Sequence, residues 1–142
     1  MTGNLTEHEV SIHEEVDIVH VRQAARELAV SAGFSLVEQT KLVTAASELA
    51  RNTLKHGGGG AAEVALEHGE GGGTALRLVF RDAGPGIVDV DQALTDGYSS
   101  AGGLGLGLSG ARRLADDFDL CTKDGQGTTV TVVFRTSKTG TG

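Results

Sequence analysis

Apolar residues recur along the chain with two different periods, and the switches between them mark out the elements. Residues 8–14 (HEVSIHE) alternate weakly and predict a short strand. Residues 16–32 (VDIVHVRQAARELAVSA) carry apolar side chains at helical spacing, with Gly33 placed as a C-terminal cap. Ser35 followed by Glu38 is a capping-box pattern, and it predicts a long helix over 35–56 that stops in Gly57–Gly60. Alternation then returns. Val64 and Leu66 share a face in 61–68, and Leu76, Leu78 and Phe80 share one in 74–81, with a Gly-rich hairpin loop between. Residues 82–103 read as loop with one helical turn near 89–94. A helix is predicted over 105–117, its inner stripe being Leu108, Ala111, Leu114, Ala115 and Phe118. Strands at 118–122 and 127–135 close the chain around a DGQG turn, and the tail TSKTGTG is expected to be disordered.

Runs of strands with helices grouped between them predict an α+β fold. The expected form is a two-layer α/β sandwich, a mixed and mostly antiparallel sheet with helices on one face. The 142 residues suit a single domain over 1–135 followed by a tail at 136–142. A net charge of −7 argues against nucleic acid or an anionic membrane as the main partner, because both attract basic surfaces. It leaves room for a phosphorylated ligand in a locally amide-rich pocket. Neither a leader segment nor a membrane-spanning run is expected, and one cysteine, Cys121, allows no intrachain disulfide. Cys121 falls in a strand, where a buried inert thiol is expected, and a reduced cytoplasmic setting is the default.

Four segments carry candidate chemistry. Glu48 and Asn52 lie four residues apart on one face of the long helix. An amide oxygen there can ligate Mg²⁺, and a carboxylate one turn away can orient or deprotonate a hydroxyl. The alternative for the same pair, and the preferred one for this segment alone, is a solvated polar face with an ordinary charge pair. Asp82 has the parity of Leu76, Leu78 and Phe80, so it points toward the helix layer. There it either caps the turn made by Gly84-Pro85-Gly86 or meets a ligand amine. Gly103, Gly105 and Gly107 precede a helix, and their bare amides together with the helix N-terminus suit a polyanion. No Gly-Lys-Ser/Thr follows, so this is not a Walker A loop, and no βαβ unit supports a dinucleotide fold. Thr128 has the parity of Val130, Val132 and Phe134, and shares the inner face with Asp82.

Taken together and in this order, the segments resemble the Bergerat-fold or GHKL superfamily of ATPases over roughly residues 10–135. Glu48–Asn52 resembles its N box, Asp82-Ala-Gly-Pro-Gly86 its first glycine box, Gly103–Leu108 its second, and Gly127-Thr128 its closing threonine element. ELARNTLKHGGG (Glu48–Gly59) and DGYSSAGGLGLGLSGARRLADDFDL (Asp96–Leu120) are similar to the bacterial anti-sigma-factor serine/threonine kinases, in their stressosome switch-kinase branch.

That resemblance implies ATP and Mg²⁺ as cofactors. It gives Asp82 the adenine amino group, with Thr128 in support and Gly84 and Gly86 closing on the ring. It gives Asn52 the Mg²⁺, the amides of Gly103, Gly105 and Gly107 the phosphates, and Glu48 the hydroxyl of a partner serine. Lys55 is a further candidate for the phosphates, and residues 87–102, with Tyr98, would be the ATP lid. The implied substrate is a STAS-domain antagonist, with a PP2C-type phosphatase activated on release. Direct sequestration of a sigma factor is the alternative.

Overall fold

The computed structural model describes residues 7–68, 73–84, 104–123 and 125–136. Strand β1 (Glu7–Ile12) leads into helices α1 (Glu15–Ser31) and α2 (Leu36–Lys55). Strands β2 (Gly60–His68) and β3 (Thr74–Asp82) follow, then helix α3 (Leu104–Leu114) and strands β4 (Asp117–Lys123) and β5 (Gly127–Arg135).

Local chemistry sets the ends of these elements. The Asp17 carboxylate accepts from the backbone N–H of His13 (2.9 Å) and of Glu14 (3.0 Å). Those bonds draw the chain out of the sheet, so β1 stops at Ile12 rather than reaching residue 14. Gly33, at φ +86°, closes α1. Phe34 N–H donates to Ala29 O and Gly33 N–H to Val30 O, the paired bonds of a left-handed helix cap. Ser35 and Glu38 form the expected capping box. Glu38 N–H donates to Ser35 Oγ (3.1 Å), and Ser35 N–H donates to Glu38 Oε1 (2.7 Å).

Helix α3 ends earlier than its apolar spacing suggests. Asp116 N–H donates to Val133 O, and Asp116 Oδ2 accepts from Arg135 N–H at 2.7 Å. These bonds to β5 capture the chain into β4, so Phe118 is a strand residue that packs on the core.

The sheet order is β1-β2-β3-β5-β4, and every pairing in it is antiparallel. The mixed, mostly antiparallel sheet expected from sequence is therefore corrected, among the described residues, to a purely antiparallel ladder. A two-helix excursion brings the chain back to the end of the sheet it left, so β2 must run against β1. The single helix α3 returns β4 parallel to β3, but β5 inserts between them.

Leu76, Leu78 and Phe80 of β3 and Val132 of β5 are at most 2% exposed. They face Val21 of α1, Leu42 and Leu49 of α2 and Leu108 of α3 in one core. Burying each such large side chain contributes about 1.5–3 kcal/mol. This packing fixes the inner-face parity on which the site depends.

Candidate functional site

Asp82 is the last residue of β3, in register between Gly60 of β2 and Thr128 of β5. Its Oδ1 accepts from Gly84 N–H at 2.9 Å, so it does cap the turn. Oδ2 accepts no hydrogen bond from any described residue. The two readings of Asp82 are thus compatible, because one oxygen holds the turn and the other stays an acceptor. The backbone around it is tightly enclosed. A Cβ on Gly60 would lie 1.9 Å from Arg81 O, and one on Gly127 would lie 2.1 Å from Asp82 O. Only glycines let the neighbouring strands close on this strand end.

Thr128 is 8% exposed on the same face. Its Oγ1 lies 3.0 Å from Thr122 Oγ1, which also reaches Gly127 O at 3.3 Å. With the single Thr122 proton given to that carbonyl, Thr128 becomes the donor of the pair and keeps its lone pairs for a ligand. Thr122 was missed from sequence, although its parity with Phe118 and Leu120 on β4 carried the signal. Asp82, Thr122, Gln126, Gly127 and Thr128 line a cleft of about 160 Å³ together with Cys121 and Thr129. Cys121 is exposed, not buried, because alternation along the edge strand β4 turns it to the outer face.

The second group sits toward the end of α2. Glu48 is 41% exposed and pairs with Arg51 at 3.3 Å. Asn52, one turn further on, is half-buried, and its Nδ2 is buried without a hydrogen-bond partner among the described residues. A polar atom stripped of water and left unpaired is a place where a ligand completes the bonding. Turning the amide about its own axis presents its oxygen at that position, so the site fits a hard cation or a phosphate group equally well. Among the described residues no cluster of three or more His, Cys, Asp or Glu can hold a metal unaided. Such a donor set fits Mg²⁺ carried in on phosphate oxygens rather than caged by protein. Lys55 is drawn elsewhere, with its Nζ 2.9 Å from Glu15 Oε2 on α1. That ammonium holds the Glu15 carboxyl below its usual range, through a hydrogen bond first and its charge second.

Gly105 and Gly107 lie within the first turn of α3, which begins at Leu104, and not in a loop before it. First-turn amides have no intrahelical acceptor, so placing them inside the helix keeps them as donors for an anion. Gly86, Gly103 and the expected lid at 87–102, with Tyr98, fall outside the described residues. So do residues 89–94 and 137–142. No helix among the described residues is long and apolar enough to cross a membrane.

Comparison with known proteins gives this geometry a context. The signature of the histidine kinase-, DNA gyrase B- and HSP90-like ATPases matches residues 37–138. The serine/threonine-protein kinase RsbT of Bacillus subtilis is 41% identical over 125 residues, 87% of this chain and 92% of that one. In structure, the chain resembles the RsbU and RsbW domains of Rv1364c from Mycobacterium tuberculosis, with a TM-score of 0.59 at 19% identity. That likeness covers 93% of this chain and 33% of the other. It also resembles the SiaB–SiaC complex of Pseudomonas aeruginosa, at a TM-score of 0.52 and 15% identity, over 92% of this chain and 89% of that one. A family signature over most of the chain and close identity along nearly the full length of a kinase place it in one group: the chain belongs to the histidine kinase-, DNA gyrase B- and HSP90-like ATPase family, and within it to the serine/threonine-protein kinases related to RsbT.

Proposed function

We propose that this kinase, acting through one nucleotide-binding domain over residues 1–135, phosphorylates a serine of a STAS-domain antagonist in a bacterial partner switch. Once released from that antagonist, it activates a PP2C-type phosphatase. The observation that carries the site is the half-exposed carboxylate of Glu48 one helical turn from Asn52 Nδ2, which has no partner among the described residues, on the helix whose end abuts Asp82. A nucleotide whose amino group meets Asp82 Oδ2, with Thr128 supporting the same ring edge, would lay its phosphates toward Asn52 and the first turn of α3. Gly84 and Gly86 would close on the ring, and the amides of Gly103, Gly105 and Gly107 would hold the phosphates.

Asn52 would hold Mg²⁺, which when bound would supply positive charge to offset that of the phosphates. Glu48 would orient the incoming serine and accept its hydroxyl proton. The serine oxygen bonds to the γ-phosphorus, the bond from that phosphorus to the β,γ-bridging oxygen breaks, and ADP leaves with the electron pair. Phosphoryl transfer rests mostly on positioning and charge stabilisation, so this small set of groups suffices. The acidic chain, with a single cysteine, and its resemblance to switch kinases support a cytoplasmic setting without nucleic acid or membrane as partner.

The test is phosphate transfer from labelled ATP to a recombinant STAS-domain protein and to its Ser→Ala variant. Wild type is expected to label only the serine-bearing protein. Glu48→Ala is expected to lower turnover by roughly 10²–10⁴-fold with ATP affinity kept. Absence of phosphoserine together with stoichiometric, ATP-dependent capture of a sigma factor would replace this reading with sequestration.

A further inference from the structure

We propose that Gly57, the second residue beyond α2, is a positioning residue for adenine selectivity: it reserves the space in which the Asp82 carboxylate sits. The proposal rests on the reading that Asp82 receives the adenine amine.

Glycine is commonly required by a left-handed backbone, but Gly57 is not among the glycines with positive φ. Alanine therefore fits its backbone, and what excludes a side chain is a contact. A Cβ built on Gly57 would lie 2.3 Å from Asp82 Cγ, 2.4 Å from its Cβ and 2.6 Å from Oδ2. No carbon approaches another so closely without displacement. Asp82 cannot yield freely, because Oδ1 is held by Gly84 N–H at 2.9 Å. Gly84 is itself packed on the same residue, since its own Cβ would lie 2.8 Å from Gly57 Cα. On the other flanks, Gly60 and Gly127 press on the backbone of Arg81 and Asp82. Enclosed on all these sides, the strand end has no direction in which to retreat. A methyl at position 57 must then shift the whole Asp82 side chain, since rotation about its Cα–Cβ bond leaves the 2.4 Å contact in place, and the displaced carboxylate loses its bond to Gly84. The bare Cα of Gly57 thus ties the end of the N-box helix to the orientation of the base-reading acid.

Gly58 supplies an internal control. It has φ +76°, and a Cβ added there would meet no described atom within 4 Å. Alanine at that position therefore strains the same loop without touching Asp82.

The experiment is calorimetric titration of the full chain with ATP and with purine riboside triphosphate, which lacks the amino group. Wild type is expected to prefer ATP by roughly 10–150-fold, the range of a hydrogen bond to a charged acceptor. Gly57→Ala is expected to bring that ratio near one, leaving the affinity for the purine analogue within about two-fold. Gly58→Ala is expected to lower the melting temperature and keep the wild-type ratio. Asp82→Asn separates the two levels of the argument. If it leaves the ratio unchanged, the reading of Asp82 fails. If it abolishes the ratio while Gly57→Ala preserves it, the role of Gly57 fails and that of Asp82 stands. Should Gly57→Ala not fold, the double variant Gly57→Ala/Asp82→Gly, which removes the three clashing atoms, is expected to recover a cooperative melt. A double variant that stays unfolded overturns the proposal.

Discussion

At the scale of the residue, the site is defined by polar atoms left incomplete by the fold. Asn52 Nδ2 is buried and unpartnered among the described residues, whereas Thr53, its neighbour on the helix, gives its hydroxyl to Leu49 O at 3.0 Å. An unsatisfied buried group of this kind costs about 1–3 kcal/mol. Replacing it with an apolar side chain of similar shape therefore removes a penalty and no hydrogen bond to any described residue. Asn52→Leu is expected to melt at or above the wild-type temperature, by up to about 1 kcal/mol in stability, while losing most of its affinity for Mg–ATP. Differential scanning calorimetry and nucleotide titration on one preparation check both halves. A variant that is destabilised and still binds Mg–ATP normally removes Asn52 from the site. The opposite signs are what separate a binding residue from a structural one. The face shared by Glu48 and Asn52 was legible in sequence because helical spacing alone sets it. The missing partner of Asn52 was not, because it depends on which atoms the rest of the fold brings near.

At the scale of the element, local rules carried the farthest. The Ser35–Glu38 capping box and the Gly33 stop were readable because each is closed by residues a few positions apart. The end of α3 was misread because a longer-range bond decides it, that of Asp116 to β5, and the end of β1 because a side chain rather than apolar spacing decides it, that of Asp17 to His13 and Glu14. The start of α1 offers a pH test. Backbone N–H groups of His13 and Glu14, with a smaller contribution from His20, hold the Asp17 carboxyl below its ordinary value. A carboxyl whose folded pKa is depressed adds stability above its unfolded pKa and loses it as pH falls through the folded one. Wild type is thus expected to melt above Asp17→Asn at neutral pH. The gap should shrink once pH drops below the ordinary aspartate range of about 3.9 and vanish in stronger acid. Paired thermal melts across pH 2–7 would show it. A gap that is constant with pH would mean that shape, not charge, is what the carboxylate supplies.

At the scale of the whole molecule, the inner face of the sheet was legible from parity. Strand order was not. Nothing in the sequence of β3 says that β5 rather than β4 lies beside it, yet that choice sets Asp82 against Thr128. The same choice concentrates close backbone contacts and open polar groups at one end. There lie the glycine-lined strand termini, the cleft beside Thr128, Asn52 Nδ2 with no partner among the described residues, and the first turn of α3. The other end has the firm Phe34 turn and the paired backbone bonds of Asp116. A ligand that completes the open end binds only the folded chain, so it stabilises the fold by mass action. At a nucleotide concentration 100 times Kd that amounts to about 2.7 kcal/mol, or a rise in Tm of roughly 8 °C for a chain of this size. Mg–ATP is expected to give a rise of this order in wild type, and Asp82→Asn, weakened roughly ten-fold or more, to give about half of it or less at the same concentration. An equal rise with Mg–GTP would show that the triphosphate alone is read, because guanine presents a carbonyl where adenine presents its amine and leaves Asp82 Oδ2 facing another acceptor.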